Sequence, residues 1–277
     1  MDLRWTAVAA MLAATPGCRG MLGGARDAGA PDAGPTGPVT LRLPATRDGW
    51  QLAATLWSGA PGAPTGAVLL LHQLGSDRDE WRPLVERLQR APAVMVLALD
   101  LRGHGDSVQG PTSTHQRWEE FGDDATRWVG VAVDAAAGLR PLVGVGGART
   151  VVAIGSSLGG SAAFAGLASE PRVVGLGWVS PGLAYRGLDA VAPLHEFVSA
   201  PTAARRSLWM IAAEGDPGST AAMATLAGAA GSVPVVRTVV AGSDAHGVAL
   251  LNADPARWDA LDRWARDALG VARSSAR

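Results

Sequence analysis

The chain has 277 residues, which is enough for one large α/β domain or two small ones. Hydrophobic residues make up 48% and charged residues 18%, so most of the chain is expected to fold around a sizeable core, which excludes a mainly disordered protein. The 24 basic residues are all arginines, nearly balance the 25 acidic residues and are scattered along the chain, so the charge pattern argues against a nucleic-acid-binding protein.

The N-terminal segment carries a basic residue, Arg4, then a ten-residue apolar run over 5–14, and then the single cysteine, Cys18. The run suits the apolar region of a signal peptide and is too short to span a bilayer. With the small residue Gly17 before the cysteine, residues 1–18 resemble a bacterial lipoprotein signal, in which the cysteine is lipidated. The resemblance implies export and a lipid anchor in a bacterial envelope membrane. An ordinary secretory signal and a cytoplasmic protein with a frayed apolar terminus remain alternatives.

Residues 19–38 separate this segment from the rest of the chain. They are mostly Gly, Ala, Pro and Asp, with almost no large apolar side chain. Such a stretch cannot bury enough apolar surface to offset the entropy lost on ordering. The composition therefore predicts a flexible linker, followed by one domain over 39–277.

The domain alternates between strand and helix patterns. Two runs, 39–43 and 50–57, flank a turn signal at 47–49 and predict an antiparallel hairpin. Further apolar runs predict strands at 67–71, 94–99, 151–154, 173–179, 208–212 and 235–240. Apolar residues at helical spacing predict helices around 81–88, 116–139, 161–168 and 258–264. This α/β alternation predicts a doubly wound, mostly parallel sheet with helices on both faces. Residues 180–207 leave room for one or two short helices and no large cap domain.

The segment Gly155-Ser156-Ser157-Leu158-Gly159 fits the pattern G-x-S-x-G. The pattern alone is weak, but it directly follows a predicted strand and precedes a helix of small residues. In that strand–turn–helix context a serine nucleophile sits on a strained elbow, and the flanking Gly155 and Gly159 let backbone and helix approach closely. We therefore predict that Ser157 is a nucleophile. A tight glycine-rich turn, or a phosphate-binding one, is the alternative.

A serine nucleophile needs a base, and the base needs an orienting acid. Of the five histidines (His72, His104, His115, His195 and His246), only His246 follows the last predicted strand. Asp216 comes just after the strand at 208–212, and Glu214 is the rival acid. The chain order Ser157, Asp216, His246 is the one expected for this architecture. His115 and His195 are expected at the surface or at helix ends, and His104 lies in a turn.

These motifs together resemble the α/β-hydrolase superfamily from about 39 to 269. The segment Leu71-His72-Gln73-Leu74-Gly75-Ser76 resembles its oxyanion loop, with Gln73 where the family usually has glycine. The resemblance implies that the backbone N–H groups of Leu74 and Leu158 form the oxyanion hole. The segment from Asp100 to Ser107 resembles a structural turn of the family, and 180–185 is expected to contribute to an acyl pocket.

The triad implies acyl transfer to the serine followed by hydrolysis, with no metal or organic cofactor. We expect a carboxylesterase or lipase acting on a small-molecule ester. Peptidase, other amidase and thioesterase activities use the same triad and remain alternatives. A membrane-tethered binding protein that kept the fold without turnover is an alternative of another class, which the triad disfavours and Gln73 weakly favours.

Overall fold

The computed structural model of the protein describes residues 37–59, 66–90, 94–144 and 146–271. The predicted signal segment with Cys18 lies outside these residues, as does almost all of the predicted linker. Across the described ranges, every helix is too short or too polar to cross a membrane.

The described residues form one main sheet of eight strands and a small two-stranded hairpin. The strands are β1 (Val39–Arg42), β2 (Ala53–Trp57), β3 (Gly66–Leu71), β4 (Val94–Leu99), β5 (Thr150–Ser156), β6 (Val173–Val179), β7 (Ala184–Tyr185), β8 (Leu188–Asp189), β9 (Ser207–Ala213) and β10 (Val235–Val240). The main sheet has the order β1-β2-β4-β3-β5-β6-β9-β10, and β7 pairs with β8. Only β2 runs antiparallel to its neighbours β1 and β4; the other pairs of the main sheet are parallel.

Helices cover both faces of the sheet. They are α1 (Arg82–Gln89), α2 (Ala125–Val143), α3 (Leu158–Leu167), α4 (Val191–Ser199), α5 (Pro217–Ala229), α6 (Val248–Asn252) and α7 (Pro255–Leu269). The apolar residues of α2 to α5 pack into one core, and those of α1, α6 and α7 pack into a second core on the opposite face. The predicted doubly wound α/β architecture is confirmed.

The continuous apolar runs of the central strands follow from these two cores. In β3, Ala67, Leu69 and Leu71 face one core, while Val68 and Leu70 face the other. Successive side chains of a strand point to opposite faces, so a strand covered on both sides needs an apolar residue at every position. The loops at the carboxyl edge of the sheet therefore begin from strands that are buried on both faces.

The structure corrects the predicted helix over 116–139. Residues Trp118–Phe121 form a short 3₁₀ turn, Gly122 has a φ of 53°, and the α-helix α2 begins only at Ala125. The carboxylate of Asp124 accepts a hydrogen bond from the backbone N–H of Thr126 and so caps the helix at this point. The prediction overlooked this cap, and it also overlooked α5, whose sequence is mostly small residues.

The segment between β6 and β9 is short. It contains the β7–β8 hairpin, α4 and a 3₁₀ turn over Ala203–Arg205. The prediction of short helices without a large cap domain is confirmed, and the hairpin is an addition to it.

Candidate active site

The candidate residues follow four parallel strands, β3, β5, β9 and β10, at one edge of the sheet. In the register of β3, β5 and β6, Leu71 lies beside Gly155, and Ser156 lies beside Val179. The strands therefore end at nearly the same level, and the loops that follow them meet there, as is usual for ligand sites in open α/β sheets.

Ser157 sits between β5 and α3 in a strained backbone conformation, with φ 46° and ψ −111°. Left-handed φ values are unfavourable for non-glycine residues and persist only where the surroundings impose them. Here the N–H of Ser157 donates to the carbonyl of Val179 at 2.8 Å, and the indole Nε1–H of Trp178 donates to the carbonyl of Ser157 at 2.9 Å. These two bonds from β6 hold the serine at the tip of a sharp turn.

Glycines make room for this turn. A Cβ atom at Gly155 would overlap the backbone of Gly159 and Gly160, and one at Gly159 would overlap the carbonyl of Leu71. Gly160 has a comparable role that the sequence pattern did not single out, since a Cβ atom there would overlap the ring of Trp178. The sharp turn and the helix that follows it therefore depend on residues without side chains.

The structure brings Ser157, His246 and Asp216 into one hydrogen-bonded chain. His246 Nε2 lies 2.9 Å from Ser157 Oγ, and His246 Nδ1 lies 2.7 Å from Asp216 Oδ2. A carboxylate only accepts hydrogen bonds, so it favours the tautomer with the proton on Nδ1 and leaves Nε2 free to accept from the serine hydroxyl. The His246 side chain is 52% exposed, so the chain opens directly to solvent.

Asp216 has a second function as the N-cap of α5. Its carboxylate accepts a hydrogen bond from the N–H of Ser219 at 3.2 Å. Burial acts to raise the pKa of Asp216, but the hydrogen bonds from Ser219 and His246 outweigh it, and the pKa lies below its usual value. Glu214, the rival acid, is exposed and accepts instead from the N–H of Gly242 at 2.9 Å.

The loop that carries His246 is held from two other strands. The N–H of Gly247 donates to the hydroxyl of Ser180 at 2.9 Å, and the N–H of Val248 donates to the side-chain oxygen of Gln73 at 3.2 Å. Ser180 follows β6 and has a φ of 53°. Neither contact was predicted from the sequence, although Gln73 stands where the resemblance implies a glycine.

The loop after β3 presents Leu74 beside Ser157. The imidazole Nδ1 of His72 lies 2.7 Å from the carbonyl of Gln73, and its Nε2 accepts from the N–H of Leu101 at 2.9 Å, so the Nδ1–H donates to that carbonyl. Burial and the nearby His104 lower the pKa of His72 to about 3, which keeps the ring neutral. In a trans peptide the C=O and the following N–H point in opposite directions, so this bond also fixes the N–H of Leu74.

The other predicted oxyanion donor, Leu158, is the first residue of α3. The first amides of a helix have no intrahelical acceptor, and they lie at the positive end of its dipole. Leu74, Leu158, Ser157 and His246 line one cavity of about 430 Å³. Two donors beside a nucleophile are what an oxyanion hole requires.

The remainder of the cavity wall is mostly apolar and built from small residues. The segment after β6 contributes 180–185, as expected, and the first two turns of α5 contribute Gly218, Ser219, Ala221 and Ala222. Among the described residues, Asp216 and His246 are the only ionisable groups in the wall apart from the hydroxyl of Tyr185. The cavity therefore suits a neutral group of modest size.

The turn from Asp100 to Ser107 lies behind the oxyanion loop and is held by its own bonds. The buried carboxylate of Asp100 pairs with Arg78 and accepts from the N–H of Asp106 at 2.8 Å. Ser107 bridges the turn to β2 by accepting from the N–H of Ala53 at 2.8 Å. These contacts fit the structural role expected for the turn. Within the described ranges, no cluster of three or more His, Cys, Asp or Glu side chains is arranged to bind a metal ion.

Comparison with known families gives one match: the model of the Alpha/beta hydrolase family fits residues 68–275, which is more than half of the chain. A comparison with curated proteins finds no match.

Solved structures share the fold at low sequence identity. An esterase from Pyrococcus furiosus is 17% identical over 84% of this chain and 90% of its own, with a TM-score of 0.61. A carboxyl esterase from Bacillus coagulans is 11% identical over 84% of this chain and 99% of its own, with a TM-score of 0.62. An esterase from Thermogutta terrifontis is 17% identical over 84% and 99%, with a TM-score of 0.55.

Proposed function

Since the chain belongs to the Alpha/beta hydrolase family, we propose that it is a serine hydrolase that cleaves carboxylic esters through an acyl-enzyme intermediate. The observation that carries the proposal is the hydrogen-bonded chain from Ser157 Oγ through His246 to Asp216, at 2.9 and 2.7 Å. A nucleophile, a base and an orienting acid in this geometry are the parts that acyl transfer requires. The esterases that share the fold are consistent with an ester substrate.

In the first half-reaction Ser157 Oγ attacks the carbonyl carbon of the ester while His246 Nε2 takes the hydroxyl proton. The carbonyl oxygen becomes an oxyanion and accepts hydrogen bonds from the N–H groups of Leu74 and Leu158. The tetrahedral intermediate collapses, the bond to the alcohol oxygen breaks, and His246 gives its proton to the departing alcohol. The acyl group remains on Ser157.

In the second half-reaction a water molecule takes the place of the alcohol. His246 Nε2 accepts a proton from the water, whose oxygen attacks the acyl carbon, and the same proton returns to Ser157 as the acid leaves. Asp216 holds the imidazole through Nδ1 and stabilises the imidazolium in both steps. Its lowered pKa keeps it ionised for this purpose at neutral pH.

The apolar lining supports a neutral acyl group of short to medium length. The wall of the cavity, whose volume is about 430 Å³, includes small residues, among them Gly182, Ala184 and Gly218. Outside the triad no carboxylate or guanidinium of the described part of the chain lines the cavity, so a charged acyl group would lose hydration without gaining a partner there.

The test is hydrolysis of p-nitrophenyl esters from acetate to palmitate by the wild-type chain and by Ser157→Ala. We expect turnover in the wild type that is highest for the shorter esters, and loss of turnover in the variant with an unchanged melting temperature. Labelling of Ser157 by a fluorophosphonate provides a second readout. Labelling without ester turnover would redirect the search to amides and thioesters. The absence of both labelling and turnover would contradict the proposal and favour a binding protein.

We also propose that the protein is exported and tethered to a bacterial envelope membrane through a lipid on Cys18. The support is the order of Arg4, the apolar run, Gly17 and Cys18, followed by a linker-like composition. Mass spectrometry of the mature chain is expected to find Cys18 as a lipidated first residue, and Cys18→Ser should abolish the modification. A mature chain that retains residues 1–17 would contradict the anchor.

A further inference from the structure

We propose that Gln73 is a positioning residue that holds the oxyanion loop, the nucleophile turn and the base loop in one arrangement through its side-chain amide. The inference rests on the proposed hydrolysis and adds a residue to its machinery. Gln73 stands where the family pattern has glycine, yet it lies outside the left-handed region, which only five non-glycine residues occupy in the described ranges. The loop backbone therefore does not require glycine at this position.

The side-chain oxygen of Gln73 accepts hydrogen bonds from two separate elements. The hydroxyl of Ser156, the residue before the nucleophile, lies 3.0 Å from Oε1, and the N–H of Val248, two residues after the base, lies 3.2 Å from it. The oxygen thus joins the end of β5 to the start of α6, two segments that share no strand pairing.

The orientation of the amide follows from its partners. A backbone N–H only donates, so the atom facing Val248 must be the oxygen and not the nitrogen. With the oxygen placed there, the Ser156 hydroxyl can only be the donor. The two hydrogen-bond donors therefore determine the orientation of the Gln73 amide.

The chain also makes space for this side chain. A Cβ atom at Gly247 would overlap Gln73 Oε1, and Gly247 has a φ of 62°, which suits glycine. Gly247, the residue after His246, therefore leaves the space that the Gln73 side chain occupies.

The backbone of Gln73 is fixed as firmly as its side chain. Its N–H donates to Glu80 Oε1 at 3.0 Å, and its carbonyl accepts from His72 Nδ1–H at 2.7 Å and from the N–H of Ser76 at 3.2 Å. The next peptide N–H is that of Leu74. One residue therefore connects the proposed oxyanion donor to both the nucleophile turn and the base loop, and a small misplacement of these groups costs rate.

A double-mutant cycle on the full chain tests the proposal with a p-nitrophenyl ester of short chain. Gln73→Met keeps the length of the side chain and removes the acceptor, and Ser156→Ala removes one of its two donors. We expect Gln73→Met to lower kcat per active site on the order of 10- to 100-fold with KM changed less than about 3-fold, because transition-state alignment is lost and the cavity wall is unchanged. Ser156→Ala should lose less, and the double variant should lose no more than Gln73→Met alone.

Active sites are counted by fluorophosphonate titration, so that a fraction of misfolded protein does not lower the kcat values. Gln89→Met makes the same exchange near the end of α1 and should leave kcat unchanged. If Gln73→Met does not fold, Gln73→Asn keeps the amide but withdraws it by one methylene, and the same loss in kcat is expected.

Three results would count against the inference. Wild-type kcat per titrated site in Gln73→Met, or additive losses in the double variant, would reduce Gln73 to a structural residue while leaving the proposed hydrolysis intact. A wild-type chain that neither hydrolyses esters nor takes up the fluorophosphonate would instead overturn the proposed function, and the role of Gln73 with it.

Discussion

Glu80 places a carboxyl group beneath the oxyanion loop, and its replacement by glutamine should change how stability depends on pH. It lies in the 3₁₀ turn Arg78–Trp81, just before α1. Its Oε1 accepts a hydrogen bond from the N–H of Gln73 at 3.0 Å. Its Oε2 is buried and has no hydrogen-bond partner within the described part of the chain. A buried carboxylate with one unpartnered oxygen is costly in its charged form.

Burial, aided by the nearby charge of Asp77, raises the pKa of Glu80 from 4.5 to about 7, although the Ser76 hydroxyl and the Gln73 amide act to lower it. Because the pKa is higher in the folded state, the folded protein binds the proton more tightly than the unfolded chain. The contribution of Glu80 to the free energy of unfolding is therefore greatest below pH 4.5 and is lost as the pH rises to about 7. At about 1.4 kcal/mol per pKa unit, the full loss is roughly 3 kcal/mol.

The assay is urea unfolding of the wild type and Glu80→Gln at pH 5 and pH 8.5. The neutral amide removes the buried charge and can still accept from Gln73. Between these two pH values the wild type should lose about 2.5 kcal/mol more stability than the variant, since part of the titration lies below pH 5. Glu86→Gln is the control, because it makes the same exchange at an exposed position of α1.

The comparison of the two proteins isolates one group from all others that titrate. If the wild type and Glu80→Gln lost the same stability between pH 5 and pH 8.5, the carboxylate of Glu80 would be solvated or paired when charged. Burial would then not raise the pKa of Glu80.

Four further substitutions test other parts of the site. Asp216→Asn should lower kcat by ~10³-fold or more because the base loses its orienting carboxylate, whereas Glu214→Gln should keep kcat within about 3-fold. Steady-state kinetics of both variants is the measurement. If Glu214→Gln were the damaging change, Glu214 and not Asp216 would be the acid. Gly182 lines the cavity at a position where an added Cβ meets no atom within 4 Å. Gly182→Trp should therefore lower kcat/KM for the octanoate ester at least ~10-fold, while kcat/KM for the acetate ester and the stability change little. Equal losses on both esters would contradict a role in chain-length selection. Gly160→Ala should destabilise the protein by about 1–3 kcal/mol in urea because it displaces Trp178, and a stabilised variant would show that the helix preference of alanine outweighs the overlap.

The sequence was sufficient for the fold because its signals were periodic and local. The apolar runs of β3, β4 and β5 are covered on both faces, so every residue in them reports its burial. The predicted helix over 116–139 was wrong at its start because a single capping residue, Asp124, outweighed the apolar spacing before it. Capping depends on one hydrogen bond and leaves little trace in a periodic pattern.

The candidate site was predictable to the extent that chain order and motif spacing specify it. Ser157, Asp216 and His246 each follow a strand end, and the parallel sheet brings strand ends together. The contacts of Gln73, Ser180 and Trp178 were not predictable, because each joins residues far apart in the chain through a side chain common in many other contexts. Such pairings depend on rotamers and loop paths that no local pattern records.

The half-exposed ring of His246 has a consequence for the timing of the proposed reaction. In enzymes that close over the substrate, opening of a lid or release of product often sets kcat. Here the residues from 180 to 206, all of which the structure describes, form a short hairpin and a nine-residue helix, and of these only 180–185 line the cavity. The base already faces water. The hydrolytic water can reach the acyl group through the opening that admitted the ester. For the proposed hydrolysis we therefore expect a turnover number that does not depend on a lid opening over the base.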